Sequence, residues 1–140
     1  MALTREEILS MSDLTHKEIT VPDSIPVWGG KKIYIKQLTR GDQDQYLKRQ
    51  FGEHGKMRQG IATVDMIGLY GNDSWICSRG ICDEKGTRIF TPDDCEKLDE
   101  KSGEFVGWAA KEILRFSNML KDAEEAKELA EKEVQEELKN

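Results

Sequence analysis

The feature that most constrains the fold is an apolar stripe at helical spacing in the last third of the chain. Its members are Phe105, Trp108, Ala109, Ile113, Phe116, Met119, Leu120 and Ala123. Apolar residues at every third or fourth position give a helix one apolar face, which is stable only when it is buried. The sequence therefore predicts a long C-terminal helix in which residues 105–120 pack on a domain.

Residues 121–140 differ from this stripe, because their few apolar side chains, such as Leu129 and Val134, stand among glutamates and lysines. We expect a charged helical extension that is mobile in the free protein and becomes ordered on a partner. A plain solubilising extension is the alternative. Residues 1–120 then form a single small domain, within the size range of roughly 100–150 residues that is commonest for domains.

Helix starts are the clearest local signals in this domain. A threonine precedes acidic residues at 4–7, 39–42 and 91–94, and this order is typical of capped helices. Pro92 at the first helical position strengthens the third of these signals. Residues 61–82 are expected to be helical, with a break at Gly71-Asn72.

Strand signals are fewer. Ile33 and Ile35 alternate with polar residues after Gly29-Gly30, which predicts a hairpin with residues 17–21. A second small hairpin is predicted around a turn at residues 83–86. The expected class is α+β, mostly helical, with a small antiparallel hairpin or sheet and a long C-terminal helix.

The composition excludes several classes of protein. Hydrophobic residues make up 37% of the 140 residues and charged residues 34%, with a mean hydropathy of −0.66. No apolar run exceeds three residues, so no membrane span is predicted. The N-terminus lacks an apolar run after a basic start, and we expect no cleaved secretory signal. Three cysteines do not make a disulfide framework and indicate a reducing cytosol.

The charge distribution is uneven. The net charge is −6 at pH 7, which argues against nucleic acid as the partner. Residues 28–60 contain eight basic and three acidic side chains, whereas residues 91–140 contain eight basic and fifteen acidic ones. The lysines around Tyr34 suggest binding of a single-stranded nucleic acid, but a half-exposed β-strand explains them better. Attraction between the two charged regions makes self-association an alternative.

Catalytic and metal-binding patterns are weak. His16 and His54 stand in polar segments with no nucleophile beside them, and no nucleophile elbow, Walker loop or dinucleotide fingerprint is present. Cys77, Cys82 and Cys95, with His54 as a fourth ligand, lack the close cysteine pair that structural zinc sites usually have. Core packing of the cysteines is favoured. We expect no enzyme activity, no cofactor and no metal.

Several segments occur in a characteristic order along residues 3–120. They are Leu3-Thr-Arg-Glu-Glu-Ile-Leu, Val27-Trp-Gly-Gly-Lys-Lys-Ile-Tyr-Ile-Lys-Gln-Leu-Thr, a short helix with Asp42, Asp44 and Tyr46, Ile81-Cys-Asp-Glu-Lys-Gly-Thr-Arg-Ile-Phe-Thr-Pro-Asp-Asp, and Leu98-Asp-Glu-Lys-Ser before the final helix. In this order the sequence resembles the small tail assembly chaperones of long-tailed bacteriophages and related defective prophages. Residues 52–76 depart from the family pattern, because glycines interrupt them where a regular helix is more usual.

The resemblance implies a non-enzymatic protein of the bacterial host cytoplasm that is absent from the mature virion. Its implied partners are the tape measure protein, which it keeps soluble, and tail tube subunits, which it helps to recruit. In many of these phages a programmed frameshift also produces a longer form. Leu138-Lys139-Asn140 is compatible with a slippery codon run, which the nucleotide sequence would test.

A chaperone of apolar helical segments needs an apolar surface and enough charge to keep the complex soluble. The residues predicted to contact the partner are Phe105, Trp108, Phe116, Met119, Leu120, Leu129 and Val134. The alternative function is a structural or adaptor subunit of a phage-like tail that self-assembles through its complementary charged faces, residues 28–60 and 91–140.

Overall fold

The computed structural model describes residues 1–51, 56–58, 61–63 and 72–119, together with residues 132, 135, 136 and 138. Its helices are α1 (Arg5–Ser10), α2 (Arg40–Phe51), α3 (Asn72–Gly80), α4 (Cys95–Leu98, after a 3-10 turn at Pro92–Asp94) and α5 (Gly103–Phe116). Its strands are β1 (His16–Thr20), β2 (Lys32–Lys36), β3 (Lys56–Arg58), β4 (Ile61–Thr63) and β5 (Ile81–Cys82). The predicted α+β class is confirmed. Among the described residues, no helix combines the length and the apolarity needed to cross a bilayer.

The central sheet is antiparallel, with the strand order β1-β2-β5. Strands β1 and β2 form the predicted hairpin, in which Ile19 lies opposite Ile33. Strand β5 pairs with the other edge of β2, so that Ile81 lies opposite Ile35. The second predicted hairpin is reduced to one antiparallel bridge between Cys82 and Arg88 and a hydrogen bond from the Asp83 amide to the Thr87 carbonyl at 2.9 Å. Cys82 also pairs with Tyr34 of β2.

Helices α3 and α5 pack together and form most of the core with the sheet. Ile76 and Cys77 of α3 and Ile113 of α5 are completely buried. Gly80 permits the close approach of the two helices, since a Cβ there would lie 2.5 Å from Ile113 Cγ2. Ile35 extends the same core into the sheet. The stripe predicted from the sequence is therefore the main packing surface of the domain.

The helix starts follow the local signals. The Oγ1 atom of Thr4 accepts a hydrogen bond from the Glu7 amide at 3.2 Å. The Asp42 amide likewise donates to Thr39 Oγ1 at 3.0 Å, and the Thr91 amide donates to the Asp94 carboxylate at 2.8 Å. Each of these bonds is made within a few residues, which is why the sequence alone predicts them.

The prediction of helix over the start of residues 61–82 is wrong. Residues 61–63 form strand β4, which pairs antiparallel with β3, and helix α3 covers Asn72–Gly80. Residues 64–71 lie outside the described residues. The connection between the paired residues Arg58 and Ile61 contains Gly60, and a two-residue connection with glycine is typical of a hairpin. The predicted break near Gly71-Asn72 thus coincides with the start of α3.

The final helix ends earlier than the apolar stripe predicts. Helix α5 stops at Phe116, because Asn118 adopts a left-handed conformation with φ 60°. The amides of Asn118 and Met119 then donate to the carbonyls of Arg115 at 3.0 Å and Leu114 at 2.9 Å. This pattern closes a helix C-terminus and turns the chain out of the helix axis. Leu120 and most of residues 121–140 lie outside the described residues.

Candidate functional site

An apolar groove with a volume of about 450 Å³ opens beside the N-terminal end of α5. It is lined by Trp28, Ile33, Ile81, Ile89, Phe90, Asp94, Lys97, Leu98, Lys101 and Phe105. The lining therefore comes from four parts of the chain: the turn before β2, the sheet, the segment after β5, and helices α4 and α5. A cleft of this size and character suits large apolar side chains of another molecule.

One wall of the groove is a stacked aromatic pair. The rings of Trp28 and Phe105 lie 3.9 Å apart between centroids and are parallel within 5°. Phe105 is buried, and its amide donates to Ser102 Oγ at 3.3 Å, so the start of α5 fixes its position. Stacked rings are large, rigid apolar surfaces, and they hold this wall in place without a partner.

The turn that carries Trp28 is tightly held. The Gly29 amide donates to the Ile25 carbonyl and the Gly30 amide to the Val21 carbonyl, each at 2.9 Å. A Cβ on Gly29 would lie only 2.9 Å from the backbone of Asp23, so glycine is required there. Val27 has φ 72°, a left-handed conformation that is costly for a β-branched residue.

The groove is also lined by Ile89 and Phe90, which follow the turn after β5. Ile89 is 54% exposed, which makes it the groove residue with the most accessible apolar surface. Asp83 organises the turn by accepting hydrogen bonds from the amides of Lys85 and Thr87, both at 2.9 Å. The bond from Thr87 is the main reason why the pKa of Asp83 is lowered.

Charged side chains border the groove at α4. Lys97 lies 3.6 Å from Asp94, and Lys101 follows one turn later. The hydrogen bond from the Thr91 amide is the largest of the effects that lower the pKa of Asp94. The carboxylate and the two lysines thus make the edge of the groove polar, whereas most of its lining is apolar.

The residues predicted to contact a partner fall in different places. Phe105 lines the groove. The ring centroid of Trp108 lies 6.3 Å from that of Phe105, and Trp108 is partly buried against the core. Phe116 lies at the other end of α5, where its ring contacts Lys17 Nζ at 4.7 Å from the centroid. Met119 is partly buried against the core. The remaining predicted residues, Leu120, Leu129 and Val134, lie outside the described residues.

Sequence reasoning did not identify the other groove residues, chiefly Trp28, Ile89 and Phe90. Trp28 lies in the connection of the first predicted hairpin, and Ile89 and Phe90 follow the turn of the second predicted hairpin. The only local signal for the groove is that two large apolar residues follow directly after a charged turn. Their convergence with Phe105 depends on the tertiary fold.

The cysteines are in environments typical of packing. The Cys77 thiol donates to the Val106 carbonyl at 3.5 Å, and burial raises its pKa to about 12. The Cys95 thiol donates to Ser78 Oγ at 3.5 Å. Within the described residues, no three His, Cys, Asp or Glu side chains are placed to hold a metal ion. His54, the fourth member of the alternative zinc set, lies outside them.

Comparison with solved structures finds a bacteriophage protein among the similar chains. The structure described as the bacteriophage HK97 tail assembly chaperone superposes with a TM-score of 0.52 at 15% sequence identity, over 84% of this chain and 94% of that chain. The two proteins share a fold. No protein-family model and no curated protein matches the sequence. The family resemblance is therefore confirmed at the level of the fold.

Proposed function

We propose that this chain is a non-enzymatic tail assembly chaperone that binds apolar helical segments of a tape measure protein and keeps that protein soluble. The observation that carries the proposal is the apolar groove on a fold shared with the HK97 tail assembly chaperone. An amphipathic helix binds such a groove by inserting the apolar side chains of one face. Recruitment of tail tube subunits is part of the same proposal.

The groove has the properties that this task requires. Its aromatic wall, Trp28 stacked on Phe105, is rigid and presents a flat apolar surface to an incoming side chain. Ile89, another lining residue, supplies accessible apolar surface. Lys97 and Lys101 at the edge stay hydrated, so a partner that fills the groove does not bury charge.

The net charge of −6 supports the solubilising part of the role, because like-charged complexes repel one another. We assign the partly buried residues Trp108, Phe116 and Met119 to a secondary contact along α5, continued by Leu120, Leu129 and Val134. In this proposal the protein acts in the bacterial host cytoplasm and is not retained in the virion.

Co-expression with the tape measure protein of the same genome tests the proposal. We expect the tape measure protein to be soluble and to co-elute with this chain, and to lose solubility when the chain is omitted. The Ile89→Glu variant should lower the co-eluting amount by about tenfold, because it places a charge in the groove. The matched control is Leu47→Glu, which changes an equally large, 40% exposed apolar residue on α2 outside the groove.

Two outcomes would contradict the proposal. One is a tape measure protein that is equally soluble alone and never co-elutes with this chain. The other is retention of the chain in assembled particles, which is the result expected for the structural or adaptor alternative. Equal loss of binding in Ile89→Glu and Leu47→Glu would exclude the groove as the contact.

A further inference from the structure

Strand β1 lies at an edge of the central sheet, and its pairing with β2 leaves one side of its backbone unpaired. The Val21 amide donates to the Lys31 carbonyl at 2.8 Å, and the Gln37 amide donates to the Thr15 carbonyl at 3.1 Å. In an antiparallel pair the backbone groups alternate between the two sides of each strand. The odd-numbered residues from 15 to 21 therefore bond toward β2.

The three residues between them, His16, Glu18 and Thr20, direct their amides and carbonyls away from the sheet. In the described part of the chain, these backbone groups make no hydrogen bond, and all three residues are exposed. The other edge strand, β5, has only two residues, and Cys82 there already bridges to Arg88. The outer side of β1 is thus a row of three donors and three acceptors with which a further strand can pair.

The surface beside this row combines apolar groups with one cation. Ile19 is partly buried against the core, and Lys17 Nζ lies 4.7 Å from the centroid of the Phe116 ring. The Leu38 amide donates to Ser117 Oγ at 2.9 Å, and this bond holds the end of α5 next to the chain after β2. A strand added to β1 places alternate side chains beside Ile19 and Lys17, near this ring.

Lys17 has no counter-ion among the described residues. The Glu18 carboxylate pairs with Lys32 at 3.4 Å, and Lys17 takes part in none of the ion pairs that the described residues form. A charged side chain on the core side of an edge strand opposes indiscriminate pairing with other chains. A carboxylate on the added strand removes that obstacle, so the charge selects which strands are accepted.

We infer that β1 is a docking site for an extended acidic segment of another protein, which adds a fourth strand to the sheet. The segment pairs with the outward backbone groups of His16, Glu18 and Thr20. It places a carboxylate beside Lys17 and an apolar side chain beside Ile19. In this mode of recognition the main-chain bonds give affinity and alternate side chains give specificity. The contact goes beyond the proposed function, in which a helical segment occupies the groove.

Charge disfavours a second copy of β1 as the added strand. Antiparallel pairing of two copies with their centres aligned places Glu18 opposite Glu18. The register displaced toward the N-terminus places Lys17 opposite Lys17. Like charges directly opposite each other destabilise a strand pair, whereas an acidic segment neutralises Lys17.

Amide hydrogen exchange, measured by NMR on the full-length protein, tests the inference. The probes are two synthetic peptides, Thr-Val-Thr-Glu-Thr-Val-Thr and its counterpart with lysine in place of glutamate. In the free protein, the amides of His16, Glu18 and Thr20 should exchange at least about tenfold faster than those of Lys17 and Ile19. The acidic peptide at about 1 mM should slow the three fast amides at least about tenfold. This alternation is specific to strand pairing.

Two variants at Glu18 separate backbone pairing from side-chain contacts. Glu18→Pro removes the central outward amide, and proline is tolerated on an edge strand where the N–H faces solvent. This variant should bind the acidic peptide at least about tenfold more weakly. Glu18→Thr is the matched control, because it loses the same carboxylate and keeps the amide, and it should bind at least as tightly as wild type. Circular dichroism with thermal unfolding checks that both variants fold.

Lys17→Glu tests the selection by charge without altering the backbone. Wild type should prefer the glutamate peptide over the lysine peptide by roughly two- to fivefold, the range of a cross-strand charge pair. Lys17→Glu should reverse this preference. Peptide titrations followed by amide chemical shifts measure both.

Four results would overturn the inference. They are the absence of alternating protection with the acidic peptide, equal binding by Glu18→Pro and Glu18→Thr, equal affinity of wild type for the two peptides, and protection of the same amides that grows with protein concentration alone. The last result would identify a second copy as the added strand. The groove is intact in Glu18→Pro, so this variant should still keep the tape measure protein soluble, and failure of the β1 contact leaves the proposed function standing.

Discussion

Helices α5 and α1 begin with the same kind of cap but lie in opposite environments, one buried and one exposed. Ser102 caps α5 and Thr4 caps α1, in each case through a side-chain oxygen that accepts a backbone amide three residues later. Six residues of α5 are buried against α3 and the sheet, whereas α1 has no buried residue. Both helices carry large apolar side chains. Capping and amphipathicity therefore specify a helix, but they do not specify what covers its apolar face.

The difference separates two roles of apolar surface in one chain. On α5 it stabilises the folded domain, and its loss is measured as a loss of stability. On α1 it is exposed to solvent and therefore contributes little to the stability of the folded domain. This difference can be measured by comparing two substitutions at a time, one in the buried core around α5 and one at an exposed position. The quantity to compare is the loss in the free energy of unfolding.

The largest effect is expected for Ile113→Ala. This side chain is completely buried between α3 and α5, and its truncation removes apolar contacts and leaves a cavity. We expect the free energy of unfolding to fall by about 3–4 kcal/mol. The matched change on α1, Ile8→Ala, should alter it by less than about 0.5 kcal/mol. Urea unfolding followed by tryptophan fluorescence measures both, and a comparable loss in Ile8→Ala would mean that α1 packs on the domain.

Breaking an ion pair should likewise cost more stability in the buried domain than on α1. Asp42 and Arg88 form a pair in which the Asp42 side chain is only 9% exposed, whereas Glu6, paired with Arg5 on α1, is 79% exposed. Asp42→Asn leaves the Arg88 guanidinium without its counter-ion and should cost about 2–3 kcal/mol. Glu6→Gln should cost less than about 0.5 kcal/mol. Equal costs in chemical denaturation would show that burial does not distinguish the two pairs.

Gly80→Ala sharpens the comparison by crowding α5 instead of truncating it. The new methyl group would meet three atoms of Ile113 within 2.8 Å, and this β-branched side chain cannot move aside freely. We expect a loss of about 1–3 kcal/mol. Gly103→Ala, at the first residue of α5 where nothing lies within 4 Å, should be neutral or slightly stabilising. The double variant Gly80→Ala/Ile113→Val should recover part of the loss.

The smallest effect appears only in alkali. Burial raises the pKa of the Cys77 thiol to about 12, whereas an unfolded cysteine titrates near pH 8.5. The folded state keeps a proton that the unfolded state releases, so this contribution is intact below about pH 8.5 and is lost as the pH rises above it. By pH 9.5 the free energy of unfolding should fall by about 1.4 kcal/mol from this group. Cys77→Ala should lack that slope, and Ile8→Ala should retain it.

What the sequence predicted correctly depends on neighbours along the chain. The hydroxyl caps at Thr4 and Thr39 and the bond from the Thr91 amide to the Asp94 carboxylate each join residues three positions apart. The strands of the first hairpin pair residues 12 to 20 positions apart, across a single turn. The pairing of β5 with β2 joins residues almost fifty positions apart, and no local pattern encodes it. The early end of α5 depends on the backbone conformation of Asn118, which an apolar periodicity does not reveal.

The groove illustrates the same limit. The stripe predicts that Phe105 is apolar surface on a helix, but its ring meets Trp28, a residue more than seventy positions earlier. Ile89 is exposed and follows a turn with no distinctive sequence signal, and it lines the groove together with Ile81 of β5, which pairs with β2. The sequence prediction, which was based on the C-terminal helix, therefore identified Phe105 but not the groove residues that other segments contribute.

The place of α1 ahead of all the groove residues matters while the protein is being made. Translation proceeds from the N-terminus, so α1 leaves the ribosome well before Phe105, which completes the groove wall. At roughly 5–20 residues per second the interval is on the order of 5–20 s. During that time the nascent chain contains the whole of α1, whereas the groove is still incomplete. The apolar side chains of α1, which the folded domain leaves exposed, are therefore exposed from the earliest stage of synthesis onward.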